Sequence, residues 1–546
     1  MRLLKVSLLG SVAVTSAITG AQAADLPIKK AAPIEYVRVC SAYGAGFFYI
    51  PGTDTCLRVS GRARFEVGYN DGYSRNQGAG DTTGYRGLAR INLDARTQTG
   101  YGTLRAFVRL EFASRTGYSN FASGTQTRIG NAFSALGQDQ FGRAQQFVST
   151  EKAFIQFAGL TAGRASSFFD FYANDYEIIG GALGSNLAST NLLAYTSKLG
   201  DSGFSASLSL EDPTFRKNTI FSASVAAANA AAGTSSFATF GALNAPSPVF
   251  LGFNAAGQPT GVGFVDVIER NRMPDFVGAL RYDAAWGSAQ VSAAVKDVNT
   301  GNFLPNQFLG TTGDGAALTA ANAVSRQRPS TEYGWAIQGG VKFNLPFIAP
   351  GDGLYLQGAY GEGATLYTGY SNYSGSYASN TNNVSGASFN QFFNDSTLNP
   401  LTGRLELSRS FTVVGSYLHY WTPEWRSAFF ASYGELSQAP GARAAQGIAS
   451  ALVGGGPGAP GTRTFALNQT LRDTYQIYTG ASVIWSPVKD LDIGLEGIYT
   501  KIGVTNGRVV DLNKSFGVSQ TNIPLSARTV SSFDTVQLRM RVQRDF

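Results

Sequence analysis

Arginine residues stand at alternate positions in several stretches of the chain, and an acidic group lies in one segment between them. The arginines that we expect to share one surface are Arg62, Arg64, Arg90, Arg109, Arg539 and Arg541. The acidic residues of segment 165–190 are Asp170, Asp175 and Glu177. Opposed charges that face a narrow opening select ions and orient dipolar solutes. The alternative is that the arginines pair with Glu66, Asp94 and Glu111 as solvated contacts on one surface.

Other kinds of chemistry are poorly represented in this composition. The 546 residues include one His, two Cys and three Met, which leaves no protein-only zinc, haem or iron–sulfur site of the usual kind. A nucleophilic triad would have to use His419. We therefore expect no enzyme, no metal and no cofactor. The formal net charge of +7 is small for this length, and without a dense Lys/Arg run it gives little support for nucleic acid as a partner.

The first 23 residues have the pattern of a secretory signal peptide, which is removed from the mature protein. A basic start and an apolar stretch precede Ala21-Gln22-Ala23, a cleavage site of small residues. An exported chain can keep a disulfide, and Cys40 and Cys56 are the only cysteines. We expect them to form a disulfide within a periplasmic amino-terminal segment over 24–56, and two free thiols are the alternative.

The rest of the sequence alternates apolar and polar residues with a period of two, which is the pattern of β-strands. In the last stretch Val536, Leu538 and Met540 alternate with Gln537 and Arg539. Sixteen such stretches are separated by short turns and long segments in regular alternation. The long segments, which we expect to be external loops, are 71–84, 115–145, 212–272, 299–331, 366–409, 436–472 and 503–532, together with segment 165–190.

A membrane barrel accounts for this pattern. Beyond the first 24 residues the sequence has no run of about 20 apolar residues, as a spanning helix needs. Bilayers otherwise admit closed barrels, because every backbone group must be paired internally. Outer-membrane barrels have short periplasmic turns, long outer loops, an apolar outside and aromatic girdles, and Trp286, Trp421, Trp425 and Trp485 fall beside short turns. We predict an all-β fold, a sixteen-stranded antiparallel transmembrane β-barrel over 57–546.

The number of strands indicates the function. Barrels of eight strands are filled by side chains, whereas those of 16–18 strands leave an aqueous channel. The inward polar residues could not be buried unpaired in a dry interior, so they need water. We predict a multi-pass pore in the outer membrane of a Gram-negative cell, through which small hydrophilic solutes and ions diffuse passively. The alternatives are a solute-selective channel on the same barrel, for oligosaccharide or an anion, and a surface adhesin.

Segment 165–190 is predicted to fold into the lumen as the third outer loop and to form the constriction. It follows the shortest predicted strand, 160–164, and contains Phe168, Phe169 and Phe171. So many Phe residues are unusual in a loop exposed to water, and packing against the inner wall would cover their rings. This placement would carry the three acidic residues of the segment to the constriction, opposite the arginines.

Two blocks of the sequence resemble porins of alphaproteobacteria related to rhizobia and brucellae. The first runs from Cys40 to Val59, and the second comprises 151–156 and 162–172, which resemble the approach of these porins to an inward-folded third loop. The terminal Phe546 resembles the aromatic residue that the outer-membrane assembly machinery reads. The resemblance implies a homotrimer of sixteen-stranded barrels, each with its own passive diffusion pore, surrounded by outer-membrane lipid and lipopolysaccharide.

Overall fold

The computed structural model describes the chain from residue 38 to its end, apart from several internal segments. The residues outside the description are 1–37, 71–82, 118–144, 172–182, 186, 188, 222–245, 313, 320–330, 371–387, 390, 454–455, 516–517 and 520–521. The predicted signal peptide over 1–23 and the first part of the predicted segment 24–56 therefore lie outside the described residues.

Sixteen strands of the described chain form one closed antiparallel barrel and are labelled β1 to β16. They are β1 Cys56–Asn70, β2 Thr83–Thr99, β3 Gly102–Gly117, β4 Gln145–Phe157, β5 Leu160–Ala165, β6 Thr190–Lys198, β7 Phe204–Glu211, β8 Asp275–Ala284, β9 Gly287–Val298, β10 Glu332–Asn344, β11 Gly353–Glu362, β12 Arg409–Tyr420, β13 Trp425–Ser437, β14 Thr474–Val488, β15 Leu491–Val504 and β16 Ser532–Asp545. Each strand pairs with its neighbours in chain order, and β1 pairs with β16, which closes the ring. The predicted fold is confirmed.

Burial alternates along these strands as the sequence pattern predicts. On β16, Val536, Leu538 and Met540 are 41–48% exposed, whereas Gln537 and Arg539 are each 5% exposed. Successive side chains of a strand point to opposite faces of the sheet, so the apolar residues face outwards and the polar residues face the barrel interior. An apolar outside around a polar inside is the arrangement of barrels that span a membrane.

Aromatic side chains gather at the end of the barrel that carries the short turns. Trp425 and Trp485 stack with their ring centres 5.8 Å apart. Trp286 packs against Phe343 with ring centres 5.4 Å apart, and Trp421 is exposed at the same end. Rings with an apolar body and a polar edge favour the boundary between lipid and water, so this belt marks one membrane interface.

Smaller elements in the described residues are not among the sixteen barrel strands. The strands are Phe47–Tyr49, Ile220–Phe221, Pro246–Phe253, Pro259–Asp266, Phe303–Gly310, Ser396–Leu398, Leu405–Leu407, Val509–Val510 and Thr529–Val530. The helices are the 3₁₀ turns Ser41–Tyr43, Pro213–Arg216 and Thr365–Thr368, and the α-helices α1 Ala442–Val453 and α2 Arg463–Leu467. Among the residues that the structure describes, no helix is long and apolar enough to cross a membrane.

The long segments pack against one another at the end of the barrel opposite the aromatic belt. The term cap is used for the described residues of 212–272, 299–331, 366–408, 438–473 and 505–531. One apolar cluster combines Val249 and Val265 with Leu318 and Leu398, which come from three different segments. Separate loops of this length would leave such residues in water, and burying them together is favourable. The cap is therefore one packed layer with its own core.

The amino-terminal segment is fixed to the base of the barrel by a disulfide between Cys40 and Cys56. Phe47–Tyr49 pairs with the first residues of β1, along the edge whose upper part pairs with β16. Phe546 continues the pairing between β16 and β1 at this end of the barrel, because its backbone N–H and C=O both pair with Gly61. The predicted disulfide is present, so the alternative of two free thiols does not hold for this structure.

Removing this disulfide is expected to loosen the amino-terminal segment without opening the barrel. The two cysteines are 16 residues apart, and closing a loop of that length is worth roughly 3 kcal/mol in the chain-entropy model. In the double variant Cys40→Ser/Cys56→Ser we expect faster hydrogen exchange across 40–56 and unchanged exchange in β10, on the far side of the ring. Loss of protection throughout the barrel would contradict this local role.

Candidate functional site

Basic side chains gather on the inward-facing positions of five neighbouring strands, β16 and β1 to β4. This surface is called the basic wall, and its residues are Arg62, Arg64, Arg86, Arg90, Arg96, Arg105, Arg109, Lys152, Arg539 and Arg541. The strand register places Arg62 directly opposite Arg90 and Arg109 opposite Lys152. Like charges placed opposite each other on one sheet face destabilise it, so this accumulation is costly to the fold. All six arginines predicted for the site lie on this wall.

One carboxylate is shared by three arginines of the wall. Glu66 is 2% exposed and forms close ion pairs with Arg86 and Arg541. The Arg541 Nε–H also donates to Glu66 Oε1 at 2.7 Å, and Arg64 Nη1 lies 3.7 Å from the same oxygen. Glu66 supplies one negative charge to these three guanidinium groups, and over the described wall as a whole the basic side chains outnumber their acidic partners.

Two other predicted arginines have an acidic partner of their own. Arg62 donates its Nε–H to Asp545 Oδ1 at 2.5 Å. Arg90 forms a close ion pair with Glu111, and its Nη2 lies 3.2 Å from Glu151 Oε2. These pairs are partly exposed to the lumen, where water and salt screen their attraction. They hold the guanidinium groups in place against the wall.

Arg109 and Arg539 donate to neutral amide oxygens. The Arg109 Nε–H donates to Asn92 Oδ1 at 2.9 Å. The Arg539 Nη2 group donates to Gln537 Oε1 at 3.1 Å, next to it on the same strand face. An amide orients a guanidinium group but does not cancel its charge, so the contact with Asn92 preserves the positive charge of Arg109. Arg539 also lies in register with the buried Glu496 of β15.

The sequence left two interpretations of the arginines, charges that face a narrow opening or partners of acidic residues on the same surface. Each describes part of the structure. Glu66 and Glu111 do pair with predicted arginines, but Asp94 pairs with Arg96 and Arg105 instead. Arg86, Arg96, Arg105 and Lys152 were not among the predicted site residues. The first three occupy inward positions in the alternating pattern, and this pattern is the feature of the sequence from which they could have been found. Nothing in that pattern ranks one inward arginine above another.

The described parts of segment 165–190 lie against the inner face of the barrel, across the ring from the basic wall. Phe169 is buried, and its carbonyl oxygen accepts a hydrogen bond from Ser292 Oγ of β9 at 2.6 Å. Further along, the Leu183 backbone N–H donates to Ser432 Oγ of β13 at 2.9 Å. In a closed ring of sixteen strands, β9 to β12 lie opposite β1 to β4, and β13 is the next strand. The predicted inward folding of the third loop is confirmed.

The phenylalanine rings from which the inward placement was predicted pack against aromatic side chains inside the barrel. Phe169 meets Tyr367 edge to face, with ring centres 4.8 Å apart. Phe171 meets Tyr355 of β11 in the same way at 5.8 Å. Gly340 of β10 leaves the space for Phe171, because a Cβ atom there would lie 2.2 Å from the Phe171 ring. The loop is therefore anchored by apolar contacts that an external loop would lack.

Asp170 does not face the open lumen, and the sequence-based expectation is corrected on this point. Its side chain is 4% exposed, and its Oδ1 lies 2.7 Å from Nη2 of Arg216, which is equally buried. Asp170 Oδ1 also accepts from Ser185 Oγ at 2.5 Å, and Oδ2 accepts from the Leu187 backbone N–H at 2.7 Å. The carboxylate thus ties the two ends of the loop together. Asp175 and Glu177 lie outside the described residues, and their role stays a prediction.

Arg216 was missed because its position in the sequence carries no signal. It lies 46 residues from Asp170, in a 3₁₀ turn of the cap. Burial acts to lower the pKa of Arg216, but nearby acidic groups, Asp170 foremost, hold the pKa above its usual value. The guanidinium group therefore remains charged and the ion pair persists.

A second buried ion pair joins the cap to the barrel. Lys296 of β9 and Asp395 of the cap are both fully buried, with Nζ and Oδ2 2.5 Å apart. The Thr365 backbone N–H donates to Asp395 Oδ1 at 2.8 Å, and the Asn218 backbone N–H donates to Asp395 Oδ2 at 3.1 Å. One carboxylate thus holds two cap segments and a barrel strand together.

Comparison with known protein families gives a match over most of the chain. A family model described as "Porin subfamily" matches residues 25–523. Porin Omp2b of Brucella neotomae is 32% identical over 366 residues, which cover 62% of this chain and 80% of that protein. Porin Omp2b of Brucella melitensis biotype 1 is 31% identical over 364 residues, with the same shares of the two chains covered.

Solved structures of outer-membrane channels are similar at low sequence identity. The outer-membrane channel DcaP of Acinetobacter baumannii is 13% identical, with a TM-score of 0.49 over 91% of this chain and 99% of that chain. The anion-selective porin from Comamonas acidovorans is 10% identical, with a TM-score of 0.40 over 90% of this chain and 100% of that chain.

Proposed function

The chain belongs to the porin subfamily, and from this premise we propose that solutes cross between the basic wall and the third loop. The protein is an outer-membrane porin, a passive diffusion pore for small hydrophilic solutes and ions. Membership of the family indicates a channel rather than an enzyme. The proposal rests on one observation, the closed barrel in which a charged wall lies opposite an inward-packed loop.

Planar lipid bilayers provide the test of this path. Purified protein should insert and give discrete conductance steps in potassium chloride. If solutes cross along this path, bulky reagents attached to cysteines introduced on the basic wall should reduce each conductance step. The same reagents attached to cysteines introduced on the outer face should leave it unchanged. Folded protein without conductance steps, or steps insensitive to adducts on the wall, would contradict the proposal.

We propose that the surplus of positive charge on the wall favours anions. A lumen lined with one sign of charge concentrates the opposite ion. The triple variant Arg62→Gln/Arg90→Gln/Arg109→Gln leaves Asp545, Glu111 and Glu151 without their cations, so we expect its reversal potential in a salt gradient to shift towards cation selectivity.

Arg544→Gln is the matched control for this charge change. Arg544 is exposed on β16, and it pairs in register with Ala63 on the outer face. Its loss should leave the reversal potential unchanged. An unchanged potential in the triple variant would remove the three arginines from the selective part of the pore. Asp175 and Glu177 remain the proposed acidic side of the same constriction.

Assembly and partners are proposed from the family resemblance. We propose a homotrimer that contacts outer-membrane lipid and lipopolysaccharide, and recognition of Phe546 by the outer-membrane assembly machinery. The exposed Phe546 ring, 68% accessible at the end of the last strand, supports that recognition. Native mass spectrometry in detergent should find three chains per particle, and a monomer would contradict the proposed assembly.

A further inference from the structure

Two phenylalanine rings occupy inward positions that the barrel pattern reserves for polar residues. Phe107 of β3 and Phe154 of β4 are paired in register, and their rings stack with centres 5.3 Å apart at an angle of 29°. Both side chains are partly exposed. Apolar surface in a water-filled lumen is unfavourable by itself, and exposed apolar patches on proteins often mark binding sites.

The two rings have different surroundings. Phe154 packs against a cluster formed by Ala165, Leu192 and Ala194 near the base of the third loop. Phe107 belongs to none of the apolar clusters formed by the described residues. Phe154 therefore packs against the base of the third loop, whereas Phe107 stacks on Phe154 and extends the apolar surface into the lumen.

The neighbour of Phe154 on β5 has no side chain. Gly163 pairs with Phe154 in register, and its φ of +119° is one that residues with a side chain rarely adopt. A Cβ atom on Gly163 would lie 2.4 Å from the Ala153 carbonyl oxygen. The row thus consists of two rings followed by a position without a side chain, and it is called the apolar shelf.

Cations border this shelf on both sides. The Arg105 guanidinium carbon lies 5.0 Å from the Phe107 ring centre, and that of Arg109 lies 5.6 Å from it. Asp94 accepts from Arg105 through both oxygens at 2.9 Å, although Arg96 shares the same carboxylate, so the guanidinium group of Arg105 is held against the wall. Arg105 therefore helps to hold the rings, and its hydrogen-bond donors are already engaged by Asp94 and Gln156.

The cations on the other side of the shelf are less compensated. Arg109 donates to the neutral Asn92, and its nearest acidic contact is Glu151 at 4.0 Å, which Arg90 shares at 3.2 Å. Lys152, in register with Arg109, donates to the Ser166 hydroxyl at 2.6 Å. Arg109 and Lys152 are thus two neighbouring positive groups that an anionic group of a solute could contact.

We propose that this shelf is a weak binding subsite for small aromatic carboxylates on their way through the pore. The solute ring stacks on Phe107, and its carboxylate accepts hydrogen bonds from Arg109 and Lys152. Aromatic stacking and a charge-assisted hydrogen bond act together only on a solute that has both groups. This inference rests on the proposed path and names the class of solute that the path favours.

Current measurements in planar bilayers with benzoate, acetate and benzyl alcohol test the subsite. Benzoate should reduce the open-channel current in a saturable way, whereas acetate, which has no ring, and benzyl alcohol, which has no charge, should have much less effect at equal concentration. Phe107→Ala should raise the half-blocking concentration of benzoate about two- to tenfold, the range that one aromatic contact provides. Phe107→Tyr, which keeps a ring, should remain close to the parent protein.

Two further variants complete the design. Arg109→Gln should weaken the block by benzoate, because the solute loses its charged partner. Phe112→Ala removes a ring from the outward face of the same strand and should leave the block unchanged. Phe107→Leu keeps apolar bulk without a ring, so it replaces Phe107→Ala if the smaller residue prevents folding.

The outcomes separate this inference from the proposed path. If folded protein gives no conductance steps in potassium chloride, the proposed path fails. If the steps are normal but benzoate and acetate act alike, or if Phe107→Ala and Phe107→Leu leave the block unchanged, the subsite is refuted and the path stands. A block weakened in Phe107→Ala and retained in Phe107→Tyr supports the subsite.

Discussion

Arg216→Met is expected to give larger and noisier single-channel currents, because the third loop loses the cation that closes its base. Asp170 and Arg216 form a buried ion pair at 2.7 Å, and the Arg216 Nη1 group also donates to Ser185 Oγ at 2.6 Å. Removing one partner of a buried ion pair costs about 3–5 kcal/mol, since the remaining charge is left uncompensated. The apolar contacts of Phe169 and Phe171 would remain, so we expect a loosened loop rather than an unfolded barrel.

Conductance in planar bilayers measures this effect, with current noise as a second readout of loop motion. The control is Arg409→Met, which removes the arginine of an exposed ion pair with Glu362. Exposed pairs contribute about 0–1 kcal/mol, so the control should conduct like the parent protein. A parent-like current in Arg216→Met would show that the ion pair does not hold the loop.

A double variant distinguishes loss of the pair from loss of the arginine itself. In Arg216→Met/Asp170→Leu both charges are replaced by apolar side chains. Such replacements of a whole buried pair are often neutral or stabilising. The double variant should therefore return towards the parent conductance, and if it behaves like the single variant, the unpaired Asp170 charge is not the cause.

Lys296→Met is expected to detach part of the cap from the barrel wall. Lys296 is the barrel side chain that pairs with the fully buried Asp395, and Asp395 in turn accepts backbone N–H groups of Thr365 and Asn218. An uncompensated buried carboxylate costs about 3–5 kcal/mol. Because the barrel strands have their own hydrogen bonds, the loss should be confined to the cap.

Hydrogen exchange measures this loss locally. We expect exchange in Ser396–Leu398 and Leu405–Leu407 to become about a hundredfold faster or more, which is the range that the lost pair implies. Exchange in the middle of β2 should not change. Arg409→Gln, which removes the partner of Glu362 in an exposed pair, is the control and should leave the cap protected. Unaltered protection in Lys296→Met would mean that the ion pair is not what holds the cap.

The barrel could be predicted from the sequence because the direction of a side chain on a strand is a local property. The alternation of Val536, Gln537 and Leu538 already assigns an outside and an inside, and it holds in the structure. The inward third loop could be predicted for a related reason, since Phe169 and Phe171 needed cover. The same reasoning placed the six predicted arginines on one wall.

The roles of individual charges could not be predicted in this way. Asp170 was expected at the constriction, but its charge is taken up by Arg216, which reaches it from a different loop. Arg86 was not selected, although it shares Glu66 with Arg541. In both cases the deciding partner is distant in sequence, and periodicity contains no information about which distant residues meet.

By itself the sequence determined that this protein is a barrel with a polar interior, an apolar exterior and one inward loop, because these features follow from residue types at alternate positions. Only the tertiary structure decided which charges are compensated, how the long loops join into a cap, and that Phe107 lies beside Arg109 in the lumen. Those features depend on contacts between segments far apart in the chain, and the free energy of a charge depends on the groups that surround it in space.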